Sequence, residues 1–284
     1  MRLHVGCAMW THRSWTGSVV PKNTGSQDKL RFYSSWCNAV EGNTTFYATP
    51  ARETVGSWAG QTPGDFRFVV KLPRAITHEK RFRGIDDDLR NFLRVIEPLG
   101  PRLESLWIQL PGSFAPGDVA ALDQVLRRLP REHRYSVEVR HPLFFTDPTE
   151  LNNLEKVCAA TGTEWVPFDT TAFFAGGAPT SDAEREAWER KPRLPRRSTA
   201  LTARPIVRYL GRDDETKTVA GWQHWVGVVA GWLQEGRSPT FFLHTPGNHD
   251  APALARRFHD EVRARVPALE PLPEPEPVEP ETLF

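Results

Sequence analysis

Eight short runs typical of β-strands alternate along this chain with runs typical of α-helices, and this alternation restricts the folds open to it. The strand-like runs are residues 3–10, 39–47, 66–73, 105–111, 135–142, 163–170, 205–211 and 240–247. Strands joined through helices pair in parallel, because each helix returns the chain to the starting edge of the sheet. Eight such units predict a TIM-barrel-like closed parallel barrel with the helices outside.

A doubly wound open sheet is the competing architecture for the same alternation. It usually has fewer units and often a glycine-rich first turn. The sequence contains neither GxGxxG nor GxxxxGK[ST], so neither a dinucleotide-binding turn nor a P-loop favours it. A length of 284 residues suits one α/β barrel. We therefore predict a single α/β domain over residues 1–266.

Two segments lie outside the alternating pattern. Residues 175–204 separate the sixth and seventh strand-like runs, and between 190 and 204 they hold six Lys or Arg and no acid. We expect this basic insertion to project over the mouth of the barrel. Residues 267–284 are rich in proline and glutamate and contain no basic residue. That composition predicts a disordered or extended tail.

Charge and hydropathy exclude several classes of protein. The net charge is +1, so no global field attracts the chain to nucleic acid or to a membrane surface. There is no run of 18 apolar residues, and the N-terminal residues do not resemble a signal peptide. Three widely spaced cysteines without a CxxC motif do not predict a disulfide framework. These features predict a soluble cytoplasmic protein with no membrane contact.

Polar side chains recur near the carboxyl ends of the predicted strands, where barrel enzymes build their active sites. In chain order they are Trp10, Glu41, Asn43, Tyr47, Lys71, Gln109, Glu138, Arg140, His141, Asp169, Arg208 and His244. On strand two, Glu41, Asn43 and Thr45 alternate and are expected to share one face. Burying unpaired charges costs on the order of several kcal/mol each. The recurrence therefore indicates a solvated pocket that can take a ligand.

The chemistry of these side chains predicts an enzyme. Glu41, Glu138 and Asp169 are the predicted catalytic carboxylates, acting as general base or acid. The cations Lys71, Arg140 and Arg208 suit a phosphate or carboxylate group, which arginine can bind in a bidentate way. The other predicted substrate-binding residues are Trp10, Asn43, Tyr47, Gln109, His141 and His244. We expect a small phosphorylated or otherwise anionic, hydroxyl-rich substrate, with hydrolysis and isomerase- or lyase-like chemistry both open.

A divalent metal is an open alternative for the same region. His141, His244, His249 and Asp250 follow strands five and eight, and with the carboxylates they could form a His/carboxylate site. No HExxH spacing on a helix supports this interpretation. His249 and Asp250 equally suit the loop and the N-cap of the last helix.

Two further functions remain open at this point. The basic residues 190–204 could contact a nucleic-acid backbone, which would make the protein a nucleic-acid-binding protein or a nuclease. Alternatively, the protein is a non-catalytic barrel that binds a ligand, or a partner through its tail. The helix-like run 219–234 holds Trp222, Trp225 and Trp232 at helical spacing and no charged residue, which predicts packing against the barrel.

Several motifs resemble the YecE-like family, the domain of unknown function 72. They are GCAMW, VEGNTTFY, TPGDFRFVVKLPRAITH, LWIQLP, VEVRHPLFF and VRYLG, in this order over roughly residues 3–260. The resemblance implies a TIM-barrel-like fold. It does not imply an activity, although at fold level the family resembles sugar-isomerase and endonuclease IV barrels.

Overall fold

Nine parallel strands form one sheet in this computed structural model, which describes residues 1–278. The strands are β1 (His4–Cys7), β2 (Ala39–Gly42), β3 (Arg67–Lys71), β4 (Leu103–Gln109), β5 (Tyr135–Glu138), β6 (Glu164–Trp165), β7 (Phe168–Asp169), β8 (Ile206–Leu210) and β9 (Thr240–His244). Their order in the sheet is β6-β5-β4-β3-β2-β1-β9-β8-β7.

Helices occupy the connections, as the alternation predicts. They are α1 (Lys29–Trp36), α2 (Thr44–Tyr47), α3 (Arg52–Gly60), α4 (Asp86–Ile96), α5 (Val119–Arg128), α6 (Leu143–Thr146), α7 (Pro148–Thr161), α8 (Thr171–Ala175), α9 (Asp182–Arg190), α10 (Glu215–Gln234) and α11 (Ala251–Arg265). A π-helical turn covers Ala75–Glu79, and 3-10 turns cover Arg13–Trp15, Glu97–Arg102 and Pro116–Asp118.

The predicted sixth strand is divided in two, and this corrects the expectation of a fully closed barrel. Its first part, β6, pairs with β5, whereas its second part, β7, pairs with β8. Val166 and Pro167 lie between them, and Pro167 has no N–H to donate to a ladder. Among the described residues β6 and β7 are thus the two edges of the sheet, joined through the chain rather than by ladder hydrogen bonds. We call this junction the seam.

The sheet is curled into a half-barrel, so that distant strands face each other. Trp107 on β4 stacks against Phe242 on β9 with ring centroids 6.2 Å apart, although three strands separate these two in the sheet. A layer of buried apolar side chains fills the interior. It consists of Ala39, Val69, Trp107, Val166, Ile206 and Phe242. The layer lies below the polar carboxyl ends of the strands and gives them a rigid base.

The helices cover the outer face of the sheet and begin and end at recognisable residues. In α7, the Asp147 carboxylate accepts hydrogen bonds from the first turn, Pro148 opens the helix, and Gly162 ends it in the left-handed conformation (φ 66°). In α10, Trp222, Trp225 and Trp232 are buried in the outer core. The packing predicted for this tryptophan-rich helix is confirmed.

The basic insertion is folded onto the domain and covers the seam. Its helix α9 is held by Arg212, whose guanidinium donates to both carboxylate oxygens of the buried Glu184 at 2.8 and 2.6 Å. After α9 the chain runs back along the sixth strand. Contacts pair Pro192 with Thr170, Arg196 with Asp169, Arg197 with Trp165 and Thr202 with Glu164.

The cations of the insertion are mostly engaged within the protein. Four form ion pairs or contacts with acids, and one lies over aromatic rings. The contacts are Arg190–Glu186, Arg196–Asp169, Arg197–Glu155, Arg204–Glu104, and Arg193 over Phe174 and Trp188. The sixth cation, Lys191, faces the barrel mouth and is described below. A run of basic residues that looks solvated in the sequence is therefore largely neutralised by its own fold.

The segment after α11, predicted to be disordered or extended, contains no helix or strand as far as residue 278 and lies against the domain. Leu269 and Leu272 are buried in the outer core, and Glu276 pairs with Arg31 at 2.9 Å. Alternate leucines among the prolines allow this stretch to lie against the domain. Residues 279–284 of the predicted tail are outside the described part of the chain. None of the described helices has the length and hydropathy needed to cross a membrane.

Candidate functional site

Seven of the predicted site residues meet at the carboxyl ends of the strands. They are Glu41, Lys71, Gln109, Glu138, Arg140, Arg208 and His244, and we call them the mouth cluster. Five of them follow an apolar interior residue by two positions along a strand, whereas Glu138 follows the buried Ser136 and Arg140 follows Glu138. The period of two along a strand therefore places them on the interior face.

Glu41 is the centre of this cluster and is fully buried. Its Oε1 lies 2.7 Å from Nζ of Lys71, and its Oε2 accepts a hydrogen bond of 3.0 Å from Nε of Arg208. Lys71 also donates to Oε1 of Gln109 at 2.7 Å and lies over the ring of Trp107. Burial alone would raise the pKa of Glu41, but Arg208 and Lys71 outweigh it and lower the pKa to about 2.

Glu138 forms the second half of the cluster. Its Oε1 accepts a hydrogen bond of 2.7 Å from Nε of Arg140. Burial opposes ionisation, yet Arg140, Arg208 and Lys71 together lower the pKa of Glu138 below its usual 4.5. Its other oxygen, Oε2, is buried and has no hydrogen-bond partner among the described residues. An ionised carboxylate oxygen left in this state needs a donor from water or from a ligand.

Within the mouth cluster, two basic groups, Lys71 and His244, have lowered pKa values. Burial lowers the pKa of Lys71 from 10.5 to about 8, and Arg208 adds to this while Glu41 opposes it. Burial, followed by the charge of Arg208, holds the pKa of His244 well below 6.5, so its imidazole is neutral. Nδ1 of His244 is buried and, within residues 1–278, has no hydrogen-bond partner.

Lys191 of the insertion lies beside the mouth cluster, close enough for its charge to interact with Arg208, Arg140, Glu41 and Lys71. Four cationic side chains, Lys71, Arg140, Lys191 and Arg208, thus face two ionised carboxylates. The site carries an excess of two positive charges. Such an excess at a largely buried site favours the binding of an anion.

The structure places Asp169 away from the mouth cluster. Its carboxylate accepts hydrogen bonds from Nε1 of Trp225 at 2.6 Å, from Nε of Arg196 at 2.8 Å and from the backbone of Thr171 at 2.9 Å. Trp225 belongs to α10, so Asp169 points to the outer face of the sheet, whereas Phe168 points inward beneath Arg208. Its predicted place beside Glu41 and Glu138 is therefore corrected.

Four other residues of the predicted site region lie outside the cluster, three in contact with other groups and one exposed. Strand β2 ends at Gly42, so the period-two face does not continue through Thr45, which bonds the backbone from α2. Asn43 donates to the carbonyl of Ala8, and Tyr47 is 78% exposed. Trp10 packs on Trp58, with ring centroids 5.1 Å apart.

His141 and the other predicted metal ligands are separated. The His141 ring lies beside Phe144, and the His249 ring lies 5.8 Å from that of His12. Asp250 is the N-cap residue of α11, as the alternative interpretation predicts. Among residues 1–278 no group of three or more His, Cys, Asp or Glu side chains is arranged to hold a metal ion. The predicted His/carboxylate ligand set is not assembled.

The family model described as "Protein of unknown function DUF72" matches residues 4–279. The chain belongs to the DUF72 family.

One relative of this DUF72 protein matches almost its whole length, and another matches a shorter part of it. The UPF0759 protein YecE of Escherichia coli K12 is 35% identical over 271 residues, which are 95% of this chain and 96% of YecE. The UPF0759 protein YunF of Bacillus subtilis is 33% identical over 79 residues, which are 28% of this chain and 27% of YunF. These names state no activity, so they establish the family and leave its chemistry open.

Two solved structures of DUF72 proteins have the same fold. One from Enterococcus faecalis V583 superposes with a TM-score of 0.69 at 17% identity, covering 99% of this chain and 100% of that chain. One from Thermotoga maritima MSB8 gives a TM-score of 0.67 at 22% identity, covering 93% and 100%. At these identities the likeness concerns the fold alone.

The sequence prediction missed two polar contributors to the mouth of this DUF72 protein. Lys191 lay in a run of six cations, and no periodicity distinguished the one that faces inward. His78 is half-buried at the end of the π-helical turn, with Nδ1 2.8 Å from the hydroxyl of Thr77. Burial, then Arg140, lowers the pKa of His78 to about 4. The sequence feature that could have indicated His78 is its position in the residues Thr77-His78-Glu79, shortly after the third strand-like run.

Proposed function

We propose that this DUF72 protein is an enzyme that acts on a small phosphorylated or otherwise anionic, hydroxyl-rich substrate. In this proposal the cations of the mouth bind the anionic group, and Glu138 accepts a proton from the substrate. The observation that carries the proposal is the buried Oε2 of Glu138, which is ionised and without a hydrogen-bond partner among the described residues beside an excess of cations.

The choice of Glu138 over Glu41 follows from their contacts. Both oxygens of Glu41 contact a cation, Lys71 or Arg208, which suits a residue that orders the site. Glu138 is bound through one oxygen only, so the other can approach a substrate. The pKa of each carboxylate is lowered, so both are ionised at neutral pH and can accept a proton, although a lowered pKa weakens a carboxylate as a base. A proton would pass from a substrate O–H or an activated C–H to Oε2, and the electron pair left on the substrate would face the neighbouring cations.

Replacing Glu138 by glutamine is the direct test of this role. The amide keeps the shape of the side chain and removes the base, so we expect Glu138→Gln to bind substrate and to lose turnover by about 10²- to 10⁴-fold. Native mass spectrometry of freshly purified protein would detect a small anionic molecule retained by the variant. That molecule would then be given to the wild type, and its conversion followed by mass spectrometry.

A matched control is Glu132→Gln, which changes an exposed glutamate on the loop before β5. It should convert the retained molecule at the wild-type rate. Turnover by Glu138→Gln at the wild-type rate would reject Glu138 as the base. A molecule that is bound by all three proteins and converted by none would favour a non-catalytic binding barrel.

The affinity for an anion should depend on pH through Lys71. The pKa of the Lys71 amine is about 8 without a ligand, and a bound anion favours the protonated form. Binding therefore weakens when the amine has already lost its proton. The charged or titratable groups facing it are Glu41, Glu138, Arg140, Lys191, Arg208 and His244. We expect the affinity for sulfate, which stays dianionic, to be constant between about pH 6 and 7.5 and to fall above about pH 8 by at least about tenfold per pH unit, since Lys191, whose pKa is also about 8, loses its proton over the same interval. Titration calorimetry would measure this, and a pH-independent affinity up to pH 9.5 would contradict it.

The contacts of the insertion do not favour the nucleic-acid alternative. Arg196 and Arg197 pair with Asp169 and Glu155, and Arg193 lies over aromatic rings. A guanidinium held in this way must lose an internal contact before it can bind a phosphate of a nucleic-acid backbone. We therefore carry forward the small-anion proposal alone.

A further inference from the structure

The basic insertion places one cation, Lys191, beside the mouth cluster. Lys191 lies outside the sequence motifs shared with the family. We propose that Lys191 is a ligand-binding residue that, together with Lys71, Arg140 and Arg208, makes the site selective for a dianionic group such as a phosphate monoester over a single carboxylate. This inference rests on the proposed function and names the class of its substrate.

The backbone around Lys191 is fixed on both sides. Before it, the ring of Trp188 packs on Phe174 with centroids 4.9 Å apart. After it, the hydroxyl of Thr170 donates to the carbonyl of Pro192 at 2.9 Å, and Leu194 is buried. Lys191 is therefore carried by an ordered part of the insertion, anchored to the carboxyl end of β7, rather than by a free loop.

Lys191 differs from the other cations of the insertion in its surroundings. The five arginines have a carboxylate or an aromatic ring as partner, whereas the ammonium of Lys191 forms no ion pair or hydrogen bond within residues 1–278. Its neighbour Pro192 is bonded to Thr170 at the carboxyl end of β7, and the charge of Lys191 interacts there with Arg208, Arg140 and Lys71, with Glu41 as the opposing charge among these groups. Burial, then repulsion from Arg208, lowers the pKa of Lys191 from 10.5 to about 8.

Such a placement is unfavourable for the empty protein, because like charges at a partly dehydrated site repel each other. A bound anion removes this cost. The excess of two positive charges matches a phosphate monoester, which is a dianion at neutral pH, whereas a carboxylate leaves one charge uncompensated. The unpartnered Oε2 of Glu138 and Nδ1 of His244 can accept or donate hydrogen bonds to the hydroxyl groups of the same ligand.

Selectivity can be measured with two probes of similar size, ribose 5-phosphate as the dianion and ribonate as the monoanion. We expect the wild type to bind ribose 5-phosphate more tightly in calorimetry at pH 7. Lys191→Met should weaken that binding by about 10- to 100-fold, and binding of ribonate by less than about threefold. Lys191→Arg should restore the preference. Arg190→Met, which removes the neighbouring exposed cation, should leave both affinities unchanged.

The outcomes separate the two proposals. Equal affinities of the wild type and Lys191→Met for ribose 5-phosphate would overturn the role of Lys191 and leave the anion site standing. If the wild type binds neither the probes nor sulfate, both proposals fail. Should Lys191→Met not fold, acetylation of the wild-type lysines gives the answer: ribose 5-phosphate should protect Lys191 at least about tenfold, and unchanged labelling would overturn the inference.

Discussion

Replacing Glu41 by glutamine is expected to lower the free energy of unfolding by about 3–5 kcal/mol. The carboxylate lies between Lys71 and Arg208 and is fully buried, so the substitution leaves two cations without their compensating charge. Lys71 will relieve part of this cost by losing its proton more readily. Its pKa is already about 8, and the substitution removes the charge of Glu41, which raises that pKa. Urea denaturation at pH 7 measures the difference.

The pH dependence gives the same interaction a second signature. The pKa of Glu41 is depressed from 4.5 to about 2, so its contribution to stability is present above about pH 4.5 and is lost as the pH falls towards 2. The wild type should lose about 3 kcal/mol from this group over that interval, whereas Glu41→Gln should not. Glu97→Gln is the control, since Glu97 pairs with Arg52 at the surface and is expected to cost less than about 1 kcal/mol. Equal stability of both variants at pH 7 would contradict the buried-pair interpretation.

Arg212→Met is expected to release the insertion from the domain. Arg212 is 1% exposed and donates to both oxygens of Glu184 and to the carbonyls of Phe173, Gly177 and Ala178. Methionine fills much of the space but leaves the buried Glu184 carboxylate without its cation, with donors only from Thr180 and the backbone of Asp213. It also removes the Arg212 donors from three carbonyl groups. Removing one member of a buried pair costs about 3–5 kcal/mol, and part of this can be avoided by local opening of α9.

Trypsin detects that opening directly, because residues 190–197 contain five basic residues. Four of them are cleavage sites, whereas the bond after Lys191 precedes Pro192 and resists trypsin. We expect native Arg212→Met to be cut within this stretch at least about tenfold faster than the wild type, with mass spectrometry locating the cut. Arg185→Met changes an exposed arginine on the same helix and should be cut at the wild-type rate. If Arg212→Met resists trypsin as the wild type does, the buried pair is not what holds the insertion.

The sequence predicts the order of the elements and most of the mouth cluster because both depend on short periods. Glu41, Lys71, Gln109 and Glu138 each lie on a strand whose other interior residues are apolar or small. One face can therefore be followed from the core to the mouth by counting in twos. In the predicted sixth strand, the same alternation places Val166 and Phe168 on the interior face. Asp169 then lies on the opposite face, where it contacts Trp225.

The remaining features depend on interactions that are distant in sequence. Pro167 was visible within the predicted sixth strand, and a proline there is a sign of a strand edge. The path of the insertion could not be predicted, because it depends on contacts between residues that are distant in sequence. Arg197 contacts Glu155 and Trp165, and Arg212 contacts Glu184. A basic stretch with such partners has the same composition as one that is solvated. Asn43 and Thr45 are predicted to lie on the strand face because the turn into α2 after Gly42 has no strong breaker.

The seam between β6 and β7 has a consequence for how the sheet can deform. In a closed barrel, a change of circumference requires one strand to slide along its neighbour, and ladder hydrogen bonds must break. Here the two edges are joined through Val166 and Pro167, which bond in opposite directions: the N–H of Val166 donates to Val137 of β5, and the carbonyl of Pro167 accepts from Arg208 of β8. A change of circumference would therefore bend this short junction rather than slide one strand along a ladder. The insertion resists such bending, because it spans both edges through Arg196 to Asp169 on β7 and through Arg197 over the ring of Trp165 on β6. The width of the mouth in this protein therefore depends on side-chain contacts as well as on main-chain hydrogen bonds.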